Sequence, residues 1–239
     1  MIERRPFHSL SGDRRDWLQA KHHFSPEDAD SGWGALCIWN DDEIAPNSGF
    51  PPHAHVNMEI ITYVRDGAVS HRDSFGNTGR IFAGDIQVMS AGTGIRHAEF
   101  NLEPQITRIF QIWIRPDADG GAPSWGTKSF PKQDRAGRLV TLASGLETDR
   151  EALPIRAEAR VLGATLNRNQ ALTYEAASDR FLYLVPSAGS VSVNGVQLDA
   201  GDGAAIKQLR QLTITAVCDS ELVLVDAPPR RSVFKAKAD

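Results

Sequence analysis

The sequence predicts an all-β protein built from two small barrels in tandem, and three observations carry that expectation. Twenty glycines and 13 prolines cut the 239 residues into short segments, many alternating β-branched or aromatic residues with polar ones, as strands do and long helices do not. An ordered set of landmarks also occurs twice. Tyr63-Val64, Gly67 and then Ala83-Gly84-Asp85 ahead of an apolar segment are echoed by Tyr183-Leu184-Val185, Gly189 and Ala200-Gly201-Asp202, which points to one supersecondary unit used twice. The length agrees, being that of one large domain or two small ones.

Taken in order, strands are expected over residues 34–39, 58–64, 85–89 and 107–114 in the first half, and over 160–166, 181–185, 190–193 and 222–225 in the second. The Asp73-Ser74-Phe75-Gly76-Asn77 cluster marks a turn, and Asn194-Gly195 between SVSV and VQL marks a tight hairpin. The segment that opens with PDADGGAPS reads as a linker with one short helical piece. The expected division is therefore residues 1–120 as a first barrel, 121–150 as linker, 151–229 as a second barrel, and 230–239 as a basic, frayed tail.

Composition narrows the function. With 41% apolar and 23% charged residues, the chain is neither disordered nor rich enough in long apolar runs to span a bilayer by helices. A net charge of -4 argues against a broad nucleic-acid surface. Cys37 and Cys218 allow at most one bridge, and both read as small buried hydrophobes. The start, MIERRPFHSL, has no apolar core of a secretory signal, so a cytoplasmic location is expected.

All seven histidines fall between His8 and His97, so any imidazole chemistry belongs to the first barrel. In His53-Ala54-His55-Val56-Asn57-Met58-Glu59, strand alternation places His53, His55, Asn57 and Glu59 on one face. The same logic pairs His97 with Glu99, after the Gly92-Thr93-Gly94 approach. On facing strands, three imidazoles and a carboxylate would converge on a site suited to Fe, Mn, Co, Ni, Cu or Zn. His8, His22-His23 and His71 are read as structural, His71 as a hydrogen-bonded loop residue. Trp113 and Phe110 are read as core, with a pocket-wall role open.

The stretches GFPPHAHVNMEIITYV and GAVSHRDSFGNTGRIFAGDIQVMSAGTGIRHAEFN, followed by RIFQIWI, closely resemble the pirin family of the cupin superfamily. The resemblance is dense from Gly49 to Ile114 and looser elsewhere. Two departures stand out: Ala54 where pirins commonly carry proline, and an aromatic-poor segment from Phe24 to Asp30. The resemblance implies a bicupin, two double-stranded β-helix (jelly-roll) barrels, in a monomer. It implies one metal ion, Fe(II) first, held in the N-terminal barrel by His53, His55, His97 and Glu99. Glu59 would stand behind the ligands, and Glu59 or Glu99 would be the catalytic proton acceptor. The implied activity is cleavage of a flavonol such as quercetin with O2, with a phenolic substrate and no nucleic-acid or membrane partner. The family resemblance equally implies a regulatory module that binds metal and a protein partner.

Overall fold

In the computed structural model, which describes residues 1–24 and 32–230, 21 strands form four sheets. The first half contains β1 (Ile2–Arg5), β2 (Leu18–Phe24), β3 (Leu36–Ile44), β4 (Ser48–His55), β5 (Glu59–Asp66), β6 (Ala68–Asp73) and β7 (Thr78–Phe82). It continues with β8 (Ile86–Ser90), β9 (Ile95–Asn101), β10 (Thr107–Ile114) and β11 (Ser124–Lys128). The second half contains β12 (Val140–Ser144), β13 (Leu153–Pro154), β14 (Arg160–Leu166), β15 (Ala171–Glu175) and β16 (Phe181–Ala188). It ends with β17 (Ser190–Val193), β18 (Val196–Asp199), β19 (Gly203–Lys207), β20 (Gln211–Ala216) and β21 (Ser220–Ala227).

The N-terminal barrel sets a six-stranded sheet, β11-β8-β5-β10-β3-β2, against a four-stranded one, β4-β9-β6-β7. The C-terminal barrel repeats the plan with β1-β19-β16-β21-β14-β12-β13 against β15-β20-β17-β18. The sequence echo is thus structural, since central β5 lies between β8 and β10 as β16 lies between β19 and β21. Gly84 and Gly201 occupy the same turn in each barrel with φ of 90° and 84°, a backbone region that glycine enters without steric cost.

The two large sheets pack face to face. One buried cluster joins Trp39, Tyr63 and Phe110 of the first barrel to Tyr183, Val185 and Val223 of the second, and covering both apolar faces is what makes the pair one body. The C-terminal barrel is filled by a continuous apolar cluster that includes Leu162, Leu184, Ile214 and Leu224. The N-terminal interior is split instead into two smaller clusters, one around Val69 and Ile109 and one around Ile60, Met89 and Ile95. Between them lies a layer of polar side chains, and there the candidate site is found.

Several expectations need correction. β3 runs five residues beyond Trp39, through Asn40, Asp41, Asp42 and Glu43, paired along its length with β2 and β10, and the polar side chains of one face find arginine partners. Asp41, for example, accepts from Arg65. The N-terminus is not confined to the first barrel: β1 pairs with β19 at the edge of the second, Ile2 opposite Ile206. The expected linker contains a short 3-10 turn at Lys132–Arg135, yet it also gives β11 to the first barrel and β12 to the second. Backbone pairing at an open sheet edge favours both additions and leaves little trace in a side-chain pattern. Cys218 is exposed in the turn before β21, while Cys37 is buried and both thiols are free. The tail beyond Arg230 and the aromatic-poor segment after Phe24 lie outside the described residues. Among the described residues, no helix is long and apolar enough to cross a membrane.

Candidate metal centre

β4 is an edge strand, where Pro51 and Pro52 are tolerated although they lack N–H donors. They shift the pairing with β9 between Phe50 and His53, and beyond this bulge His53 stands directly opposite His97. The two Nε2 atoms are 3.1 Å apart. A carbonyl can only accept, so His53 Nδ1 donates to the Pro51 oxygen at 2.8 Å and its Nε2 presents a bare lone pair. His55 follows on the same face, its ring 4.8 Å from that of His53 and 5.0 Å from that of His97. Its Nε2 is buried without a partner, and the Trp113 ring meets it edge-on at 4.8 Å.

Burial, with the neighbouring His97 and His53, pushes the pKa of His55 down to about 4. Burial, then His53 and His71, pushes that of His97 down to about 3. Both imidazoles are therefore neutral near pH 7, the form that offers a lone pair to a metal.

Glu99, two residues beyond His97 on β9, is almost fully buried. It accepts from Gln111 Nε2 at 2.8 Å and from Gln87 Nε2. The single Thr62 hydroxyl proton can go to Gln111 Oε1 at 2.9 Å or to Glu99 Oε1 at 3.2 Å. Gln87 is held in turn by Trp125 of β11, whose Nε1 donates to its Oε1 at 3.0 Å. The expected linker thus buttresses the carboxylate. Behind it, Asp42 has an unpartnered buried oxygen, and burial, then Asp41, Glu99 and Asp13, raises its pKa well above the usual carboxylate range.

His53, His55, His97 and Glu99 all line one cavity of about 70 Å³, closed by Phe50, Trp113, Asn40 and Asp42 among others. Distance divides the donors into two overlapping sets, the second of which adds His71 from outside that cavity lining. One ligand atom from each of His53, His55 and His97 lies within 4.8 Å of the others, and the same holds for His71, His97 and Glu99. The sequence reading placed His71 in a loop. It sits instead on β6, buried, opposite Glu99 in the pairing of β6 with β9. It does make the expected hydrogen bond, Nε2 to Asp73 Oδ2 at 3.3 Å.

The structure does not bring Glu59 to this cluster. Asn57 has φ of 51°, so the alternation that starts in β4 is broken before β5 begins. Ile60 and Thr62 consequently face the cavity, and Glu59 faces the other barrel. There it accepts from Ser90 Oγ at 2.5 Å, and burial raises its pKa against the pull of Ser90 and Arg156. Asn57 is likewise out of the site, accepting from Gly120 N–H at 2.8 Å. Trp113 is a cavity wall, whereas Phe110, on the opposite face of β10, is core between the barrels.

Missed altogether were Asn40, Asp42, Thr62, Gln87 and Gln111. At Thr62, Gln87 and Gln111 the signal is a polar residue flanked by apolar ones in a strand, visible once the inward face is known, whereas Asn40 and Asp42 lie in a polar run that carries no such signal.

Two jelly-roll barrels, a histidine-lined cavity in the first and an apolar interior in the second make this chain a bicupin. Comparison with known proteins agrees with that class and narrows it. The Pirin family model matches residues 4–114, and that of the quercetinase C-terminal cupin domain matches residues 141–227. A pirin-like protein of Caulobacter vibrioides is 64% identical over 95% of this chain and 100% of its own length. The chain belongs to the pirin family. Among other relatives, a quercetin 2,3-dioxygenase of Escherichia coli K12 is 35% identical over 89% of this chain and 93% of that protein. The crystal structure of YhhW from Escherichia coli superposes with a TM-score of 0.90 at 33% identity, covering 96% of this chain and 98% of that one. A second structure of YhhW, in complex with nickel(II), gives 0.88 at 33% identity, covering 96% of this chain and 100% of that one.

Proposed function

We propose that this chain is a metal-dependent dioxygenase of the quercetin 2,3-dioxygenase type, with His53, His55, His97 and Glu99 holding one divalent ion. The observation that carries the reading is the pair of facing Nε2 atoms 3.1 Å apart, with the His53 tautomer set by Pro51 and the His55 Nε2 left without a partner. Two imidazoles bound at right angles to an ion at about 2.1 Å stand about 3.0 Å apart, so the separation suits coordination. Fe(II) and Ni(II) are the first ions to test, on the family resemblance and on the nickel complex of the related YhhW. Zn, Mn, Co and Cu also accept such donors.

When bound, the ion supplies Lewis acidity and a template for an enolic oxygen and O2. The chain's own residues do the rest. Gln87 and Gln111 hold Glu99 in place, where it takes the proton of the substrate's 3-hydroxyl. Phe50 and Trp113 keep water from the cavity. At about 70 Å³ the cavity has room for a small group only, so the rings of a flavonol rest at its mouth. Addition of O2 and ring opening would convert the flavonol to a depside and carbon monoxide.

The test is O2 uptake and CO release by metal-reconstituted protein with quercetin. His97→Ala should lose both the metal and the activity with its far-UV spectrum intact. Uptake no greater than that of the metal-free protein would sink the enzymatic reading in favour of a regulatory role exercised at the surface.

A further inference from the structure

We infer that the outer face of the sheet β4-β9-β6-β7 is a docking surface for an acidic segment of a partner protein, which seats a carboxylate between Arg72 and Arg96. The inference does not rest on the dioxygenase reading. It starts from the pleat: His71 and His97 point into the barrel, so Arg72 of β6, Arg96 of β9 and, by their pairing, Arg80 and Phe82 of β7 point out. All three arginines are exposed. The only carboxylates on these four strands, Asp73 and Glu99, are buried. A strand face with three guanidiniums and no carboxylate runs against the net charge of -4 of the whole chain.

Arg72 and Arg96 line one surface cavity of about 220 Å³ with Pro52 and Ser74. Its walls are fixed. Ser74 N–H donates to the Arg96 carbonyl at 2.8 Å, and Arg96 N–H donates to Ser74 Oγ at 3.2 Å, so the turn after β6 is tied to β9. Asp73 also borders the cavity, but its oxygens accept from the Phe75 and Asn77 N–H groups and from Asn77 Nδ2, which commits it to its own turn. Arg96 Nη2 donates to the Pro52 oxygen at 3.1 Å, and a guanidinium has five N–H groups in all. A planar carboxylate is the acceptor that such forks match. Arg80 already makes that contact, its Nε donating to Glu103 Oε1 at 3.0 Å.

The apolar side chains at the rim say what carries the carboxylate. Phe75, directly after Ser74, is 60% exposed, Phe82 is 50% exposed, and Leu102, just past the end of β9, is 60% exposed. Phe82 lies under the Arg80 guanidinium at 4.9 Å. Arginines set among exposed aromatic rings have the composition of a protein contact surface, and an exposed apolar patch gains by being covered. A polypeptide supplies both a carboxylate and apolar side chains to cover the rings. A long polyanion would feel the net negative charge of the whole chain, whereas a short acidic segment meets this face alone.

The probe is a short fluorescein-labelled peptide in which Glu alternates with Leu and Phe, titrated with the full chain and read by anisotropy. It should bind, more weakly as salt is raised, and its counterpart with Lys in place of Glu should not. Arg72→Gln, Arg80→Gln and Arg96→Gln together should weaken binding about tenfold or more. Arg150→Gln, Arg168→Gln and Arg210→Gln, at three exposed arginines outside this sheet, remove the same charge and should change it less than about twofold. Absence of binding, or an equal loss in the two triple variants, would overturn the inference. So would tighter binding of oligothymidylate or of phosphatidylserine vesicles, which would assign the face to a different anion. If the first triple variant unfolds at a lower temperature than the parent, Arg72→Glu alone replaces it, with a loss again expected and unchanged binding refuting. Binding is read without any assay of O2 chemistry, so failure of the dioxygenase reading leaves the test intact.

Discussion

His23 lies between the two barrels, and protonating it should weaken the fold by an amount the structure sets. Its ring is 4% exposed, 5.9 Å from Trp39 and 5.5 Å from Tyr183, with Nδ1 at 2.8 Å from the Tyr183 hydroxyl and Nε2 buried without a partner. Burial first, then Arg5 and Arg65, against a weaker pull from Asp202, lowers its pKa from 6.5 to about 3. Between those two values the unfolded chain binds a proton at His23 and the folded chain does not. Stability from this residue is thus complete above about pH 6.5 and falls as the pH drops towards 3, at about 1.4 kcal/mol per unit. From pH 7 to pH 5 the loss is about 2 kcal/mol. Urea unfolding of metal-free protein at both pH values, for the parent chain and for His23→Gln, isolates the term because every other titrating group cancels in the difference. The parent should lose about 2 kcal/mol more than the variant. Equal losses, within about 0.5 kcal/mol, would show that His23 takes up its proton without opening the interface, and the reasoning would fail.

Gln111→Leu removes the 2.8 Å donor to Glu99. The apparent metal dissociation constant, measured by competition with a chromogenic chelator, should rise about 10–100-fold. Glu59→Gln, on the face of β5 turned to the other barrel, should leave metal stoichiometry unchanged and O2 uptake within about threefold, against a role behind the ligands. Gly92→Ala combines a φ of 47° with a Cβ that runs into the Gly121 carbonyl oxygen. It should cost more than about 1 kcal/mol in urea unfolding, and an unchanged midpoint would show that this turn accepts a side chain without strain.

Much of the fold was legible because it is written in local periodicities. The strands at Thr107–Ile114, Arg160–Leu166 and Ser190–Val193 begin and end where the alternation says, and the repeated Ala-Gly-Asp turns mark equivalent places in the two barrels. β1, β11 and β12 were not legible. They are short strands at or next to sheet edges, placed by backbone pairing with distant segments, and their few residues carry too little alternation to mark a strand. At the site, His53 and His55 share a face because β4 is regular beyond its bulge, and His97 and Glu99 share one along β9. The same period of two failed from Asn57 to Glu59, since a left-handed residue between strands resets the parity. It also failed to select His71, because no local pattern shows that β6 will lie beside β9.

The sequence by itself determined that histidine chemistry belongs to the first barrel, and which donors lie next to one another along a strand. Both are properties of residue order, which a strand converts directly into facing. Only the tertiary structure decided which strands meet. It turned Glu59 away from the metal ligands, brought Trp125 and the glutamines behind Glu99, and seated His71 beside His97. Those are contacts between segments far apart in sequence, settled by register across the sheets and by the burial of two apolar faces against each other.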